Sequence, residues 1–191
     1  MEEKCLECVQ TMKRVGINFL AIDFDNTLVD VHTGGKWRDN KGAADLARKV
    51  RPFFRQLVPL AISHGIHVAI VTFSSQVNLI RAVLDHQFPD HASYIPVRGD
   101  PASQDFGWAY QGRGNQEGKQ AHMASAAEEL NNLYTARTGS RGDTKQITRN
   151  TSLLLDDDSY NVMTALENEV RAIYCVPENI DATVQEIIDL E

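Results

Sequence analysis

The chain has little of what marks disulfide-bonded, low-complexity or membrane-spanning proteins. Only 3 of its 191 residues are cysteine, an odd and sparse set that cannot make a disulfide framework. No apolar run approaches the roughly 20 residues needed to span a bilayer. The first residues, Met1-Glu2-Glu3-Lys4, are charged where an export signal turns apolar. Cationic residues are outnumbered, with 19 Lys and Arg against 26 Asp and Glu, which leaves a formal net charge of -7. An acidic surface repels phosphate backbones at long range, which argues against extended nucleic-acid binding but permits a local cationic pocket. Reduced thiols and the missing export signal together lead us to expect an intracellular, cytoplasmic protein with no membrane partner.

What remains is an ordinary globular composition, 42% hydrophobic and 24% charged. The length suits one domain over 1–191, with the core starting near residue 15. Cys5 and Cys8 form a C-x-x-C pair, but no second pair follows to complete a metal site. Two residues on one face of an N-terminal helix is the reading we prefer. Arg141-Gly142-Asp143 lies in a polar loop and is read as chance, and Asn150-Thr151-Ser152 fits a glycosylation sequon but has no export signal to go with it. The histidines at 64, 67, 86, 91 and 122 lack metal-ligand spacing and are expected to be solvated or structural.

Five short apolar runs read as strands: 18–24, 66–73, a weaker 93–97 with Pro96 inside it, 151–155 and 172–176. Helical patterns lie between them at 43–63, 76–86, 118–136, 159–168 and 179–190, after an N-terminal helix at 2–14. Pro52 and Pro59 are expected to interrupt or kink the 43–63 segment. Continuous rather than alternating apolar strands are buried on both faces. The expectation is an α/β fold: a doubly wound, Rossmann-like parallel sheet of about five strands flanked by helices. Residues 30–42, 98–118 and 137–150 read as irregular, and none is long enough for a full cap domain.

In such a sheet, ligands bind at the carboxyl ends of the strands. There the sequence places Asp23 and Asp25, then Thr72 and Ser74, then Asp156 and Asp157, with Lys119 at the start of a helix. Clustered acids repel unless a cation neutralises them, and an oxygen-rich set of this kind suits Mg²⁺.

These residues are similar to the four motifs of the haloacid-dehalogenase-like (HAD) superfamily, in the right order. Asp23-Phe24-Asp25-Asn26-Thr27 resembles its D-x-D-x-T motif, and Thr72 its strand-ending hydroxyl. Lys119 resembles its helix-start lysine, and Leu153-Leu154-Leu155-Asp156-Asp157-Asp158 its paired acids. The likeness spans about residues 18–176. It implies a magnesium-dependent phosphatase of the capless type, in which Asp23 attacks phosphorus and forms an aspartyl-phosphate. Asp25 would protonate the leaving oxygen and then activate water. The Asp23 carboxylate, the Asp25 carbonyl and one acid of the last motif would hold Mg²⁺. Thr72, Lys119 and the backbone N–H groups of Phe24 and Phe73 would bind phosphoryl oxygens. The last motif has two registers. In one, Asp157 is the metal ligand, Asp156 supports it and Asn161 steadies the waters or the loop; in the other, Asp157 and Asp158 form the pair. The first is favoured because Leu155 must end the buried strand.

A capless site suits large phosphorylated substrates such as phosphoproteins or nucleic-acid ends, and it also admits small phosphates. The resemblance also admits a phosphotransferase, or an inactive scaffold that acts by binding. Residues 30–42 form a small flap directly after the first motif, where His32, Lys36, Trp37 and Arg38 would set specificity near the leaving group. Trp37→Ala and Arg38→Ala are therefore expected to change relative rates across a panel of phosphorylated substrates. Unchanged ratios in steady-state assays would remove the flap from specificity.

Overall fold

A computed structural model describes residues 1–34, 42–100, 108, 110, 112–138 and 146–191. Five strands form one parallel sheet: β1 (Phe19–Ile22), β2 (His67–Val71), β3 (Val97–Arg98), β4 (Ser152–Asp156) and β5 (Arg171–Tyr174). Their order across the sheet is β3-β2-β1-β4-β5. The chain moves outward from β1 to β3, then crosses back to β4 beside β1. The switch in direction therefore lies between β1 and β4, where a doubly wound sheet opens a crevice at its carboxyl edge.

Among the described residues, seven α-helices flank the sheet: α1 (Glu2–Arg14), α2 (Ala43–Ala47), α3 (Pro52–Ser63), α4 (Val77–Gln87), α5 (Gln120–Thr138), α6 (Ser159–Glu167) and α7 (Ile180–Ile188). Successive strand residues point to opposite faces. Leu20, Ile22, Val68, Ile70, Leu153 and Leu155 pack with α1, α3, α4 and α7. Phe19, Ala21, Ala69, Val71 and Leu154 meet Met123, Ala126 and Leu130 of α5 and Ala165 of α6. Right-handed crossovers account for the split, since the outward run of strands puts its helices on one face and the return run on the other. Cys5 and Cys8 are free thiols, buried where α1 packs on α3 and α7. Burial pushes the Cys8 thiol up to about 12, so the pair behaves as apolar packing rather than redox chemistry.

Three expectations need correction. The strand expected at 93–97 is instead a single tight turn over Ala92–Tyr94, and β3 begins at Val97. Proline lacks an N–H, so Pro96 joins the ladder only through its carbonyl, which accepts from Ile70 N at 2.9 Å. The helical segment at 43–63 is two helices, broken where Val50 pairs with Val29 in an isolated bridge. Pro52 opens α3, where its missing N–H costs nothing, and α3 continues through Pro59. Lys119 does not begin its helix but sits in the turn just before α5. Among the described residues, no helix is long and apolar enough to cross a membrane.

Gly99 lets the end of β3 run tightly against the loop after β2. A Cβ there would lie 2.6 Å from Ser74 O and would overlap Val77 Cγ2. Gly99→Ala is expected to destabilise the fold by about 1–3 kcal/mol, the usual cost of overpacking, as read by urea denaturation.

Candidate active site

β1 ends at Ile22 and delivers Asp23 to the sheet edge, where Asp23 N donates to Leu155 O of β4 at 2.9 Å. The chain then makes one wide turn over Phe24–Leu28, closed by Leu28 N to Asp23 O at 3.2 Å and Val29 N to Phe24 O at 3.1 Å. Asn26 takes the left-handed conformation at φ +55°, which asparagine tolerates better than most residues. Arg51 braces this turn from outside. Its Nε donates to Thr27 O at 3.0 Å and its Nη2 to Asn26 O at 2.8 Å.

Asp23, Asp25, Thr72, Phe73, Lys119, Asp156, Asp157, Asp158 and Asn161 line one cavity of about 770 Å³ at the carboxyl edge of the sheet. Lys119 is the cation within it. Its side chain is 2% exposed, and its ammonium donates to Asp23 Oδ1 at 2.6 Å and to Val71 O at 3.2 Å. It also lies 3.8 Å from Asp156 Oδ2 and over the Phe73 ring. Thr72 Oγ1 accepts from Ser74 N at 3.1 Å, which leaves its own hydrogen free for a ligand oxygen.

Asp23, Asp156 and Asp157 each bring one carboxylate oxygen within 4.8 Å of the others. Against the single Lys119 ammonium, three ionised carboxylates would leave two negative charges. Among the described residues, the groups at hand therefore under-neutralise the cluster. Burial pushes the Asp23 carboxyl up to about 8; Lys119 pulls it down but is outweighed, and Asp156 adds to the rise. Asp156 is raised as well, chiefly by burial, against Lys119 and its hydrogen bonds. An all-oxygen donor set short of positive charge fits a hard divalent cation such as Mg²⁺.

The last motif separates into roles. Asp156 accepts from Asn161 Nδ2 at 3.1 Å and from Asp158 N at 2.9 Å. Asp157 is half-buried, 3.4 Å from Thr27 Oγ1. Asp158 is exposed and caps α6 by accepting from Tyr160 N at 2.9 Å. A carboxylate committed to that cap is poorly placed to be a ligand, so the geometry favours the Asp156–Asp157 register.

Asp25 is held by residues not singled out in the sequence. Thr33 donates to Asp25 Oδ1 from both its backbone N, at 3.0 Å, and its Oγ1, at 2.6 Å. Gln76, the residue before α4, donates to Thr33 O at 2.9 Å. No spacing rule signals either one, because each acts through a contact between loops. Of the flap residues, His32 is in place, with Nδ1 3.1 Å from Asp25 Oδ2 and an exposed ring. Lys36, Trp37 and Arg38 lie outside the described residues. Phe24 is fully buried in the core, so only its backbone could face a phosphoryl group. His122 is fully buried against Phe73, Trp108 and Tyr110 rather than solvated.

Compared with protein-family models, curated proteins and solved structures, the chain matches none.

The raised carboxyls set a pH dependence. A carboxyl whose folded pKa exceeds its unfolded value stabilises the fold fully below that unfolded value, about 3.8, and the stabilisation is lost as pH rises through the folded pKa. In EDTA, Tm is therefore expected to fall between about pH 4 and about pH 8. Mg²⁺ should raise Tm most at the alkaline end, where the carboxylates ionise, and Asp157→Asn should shrink that rise. A Mg²⁺ shift equal at every pH would contradict this account.

Proposed function

We propose that the chain is a Mg²⁺-dependent phosphomonoester hydrolase that works through an aspartyl-phosphate on Asp23, as its HAD-like motifs imply. The observation that supports this most is the meeting of Asp23, Lys119, Asp156 and Asp157 with Asp25 and Thr72 in one cavity. Each group has a task that its surroundings allow. Lys119 holds one oxygen of Asp23, which fixes the carboxylate's rotation and leaves the other oxygen to attack phosphorus. As the new O–P bond forms, the bond to the leaving oxygen breaks, and Asp25 gives that oxygen its proton. Asp25, now a carboxylate, then takes a proton from water. The water oxygen displaces Asp23 from phosphorus, releasing phosphate and restoring both aspartates.

Thr72 donates to a phosphoryl oxygen, and Lys119 offsets its charge. The Asp23 carboxylate, the Asp25 carbonyl and Asp157 would hold Mg²⁺, with Asn161 steadying Asp156 beside them. The ion, when bound, offsets charge on the transferring phosphoryl group. Between β1 and β2 the only described helices are α2 and α3, both part of the core, which favours large substrates such as phosphoproteins.

Purified protein is expected to hydrolyse p-nitrophenyl phosphate with Mg²⁺ and to lose activity in EDTA. Asp23→Asn should lower kcat by roughly a thousandfold or more. Turnover that survives Asp23→Asn would rule out the aspartyl-phosphate route. Phosphate passing to an added alcohol in preference to water would make the chain a phosphotransferase, and no turnover of any phosphomonoester would leave a binding scaffold.

A further inference from the structure

Resting on the hydrolase reading, we propose that Thr33 and Gln76 are positioning residues for Asp25: Thr33 occupies its Oδ1 and Gln76 holds Thr33 there, so that the proton Asp25 exchanges sits on Oδ2. The polarity of the hydrogen-bond chain follows from its anchor. Thr33 O is a carbonyl and can only accept, so the group of Gln76 that meets it at 2.9 Å is the amide nitrogen. That nitrogen also lies 3.4 Å from Thr33 Oγ1 and can give it a hydrogen. The Thr33 hydroxyl is fully buried, accepts from Gln76, and has its own hydrogen left for Asp25 Oδ1 at 2.6 Å. Thr33 N donates to the same oxygen at 3.0 Å. An oxygen that already accepts two hydrogens is a poor seat for a third. The acid proton is thereby directed to Oδ2, which faces His32 at the cavity mouth.

The same chain reaches the phosphate-binding side of the cavity. Gln76 N donates to Ser74 Oγ at 3.2 Å, and Ser74 N donates to Thr72 Oγ1 at 3.1 Å. One run of hydrogen bonds therefore sets Asp25 and Thr72 relative to each other. A general acid acts only when its proton points at the leaving oxygen, so loosening this run should harm the protonation step in particular.

The test compares two leaving groups by kcat/KM, which reports phosphoryl transfer to Asp23 and not the later hydrolysis. An alkoxide must be protonated as it leaves, whereas p-nitrophenolate leaves without a proton. Thr33→Val keeps the shape and the backbone donor but removes the hydroxyl. It is expected to lower kcat/KM for an alkyl phosphate roughly 100-fold while changing that for p-nitrophenyl phosphate no more than about threefold. Thr33→Ser should restore the alkyl rate. If Thr33→Val does not fold, Gln76→Leu carries the same comparison, with the same selective loss expected. Equal losses for both substrates, no loss for either, or failure of Thr33→Ser to rescue would overturn the assignment. Wild-type protein inactive on both substrates would instead sink the hydrolase reading and this inference with it.

Discussion

The buried ammonium of Lys119 is the charge on which the rest of the site depends. It sits between Asp23 and Asp156 with the Val71 carbonyl as a third partner, so strands β1, β2 and β4 all supply oxygen to one cation. Removing its charge would leave two buried carboxylates facing each other in a medium that solvates neither, and breaking buried pairs in this way costs several kcal/mol. The hydrophobic layers on both sides of the sheet hold those strand ends in register at this cost. Among the described residues the cluster holds more acid than base, and the surrounding packing is what fixes it in place.

Much of this arrangement was legible in the sequence, for a topological reason. Asp23, Thr72, Asp156 and Asp157 each stand at the end of an apolar run. A doubly wound parallel sheet brings strand ends together whatever the details of helix packing. Lys119 was different: its place at a helix start makes it a candidate beside the acids, but nothing in its local pattern marks it as buried. Between the two registers of Asp156-Asp157-Asp158 the strand end at Leu155 supplies only a preference, and a backbone N–H of α6 that claims Asp158 adds to it.

What stayed hidden was whatever depends on contacts between loops. Thr33 and Gln76 meet across 43 positions of sequence, and neither lies on a periodic face. β3 was misplaced because Ser93–Val97 has strand-like composition, yet Pro96 cannot donate and Ala92–Tyr94 closes a turn instead. The break before α3 was anticipated at Pro52, but not the reason that the break is there. The chain must leave α2, pair Val50 with Val29, and present Arg51 to the turn after β1.

That last contact bears on which sequences could replace this one. The guanidinium of Arg51 spans two successive carbonyls, Asn26 O and Thr27 O, while its own backbone N–H takes a third, Leu28 O. A lysine would carry the same charge but offer a single point donor, able to satisfy one carbonyl well and not two held at a fixed spacing. Position 51 thus selects for planarity as much as for charge, and homologous chains that share the wide turn should be poor in lysine there.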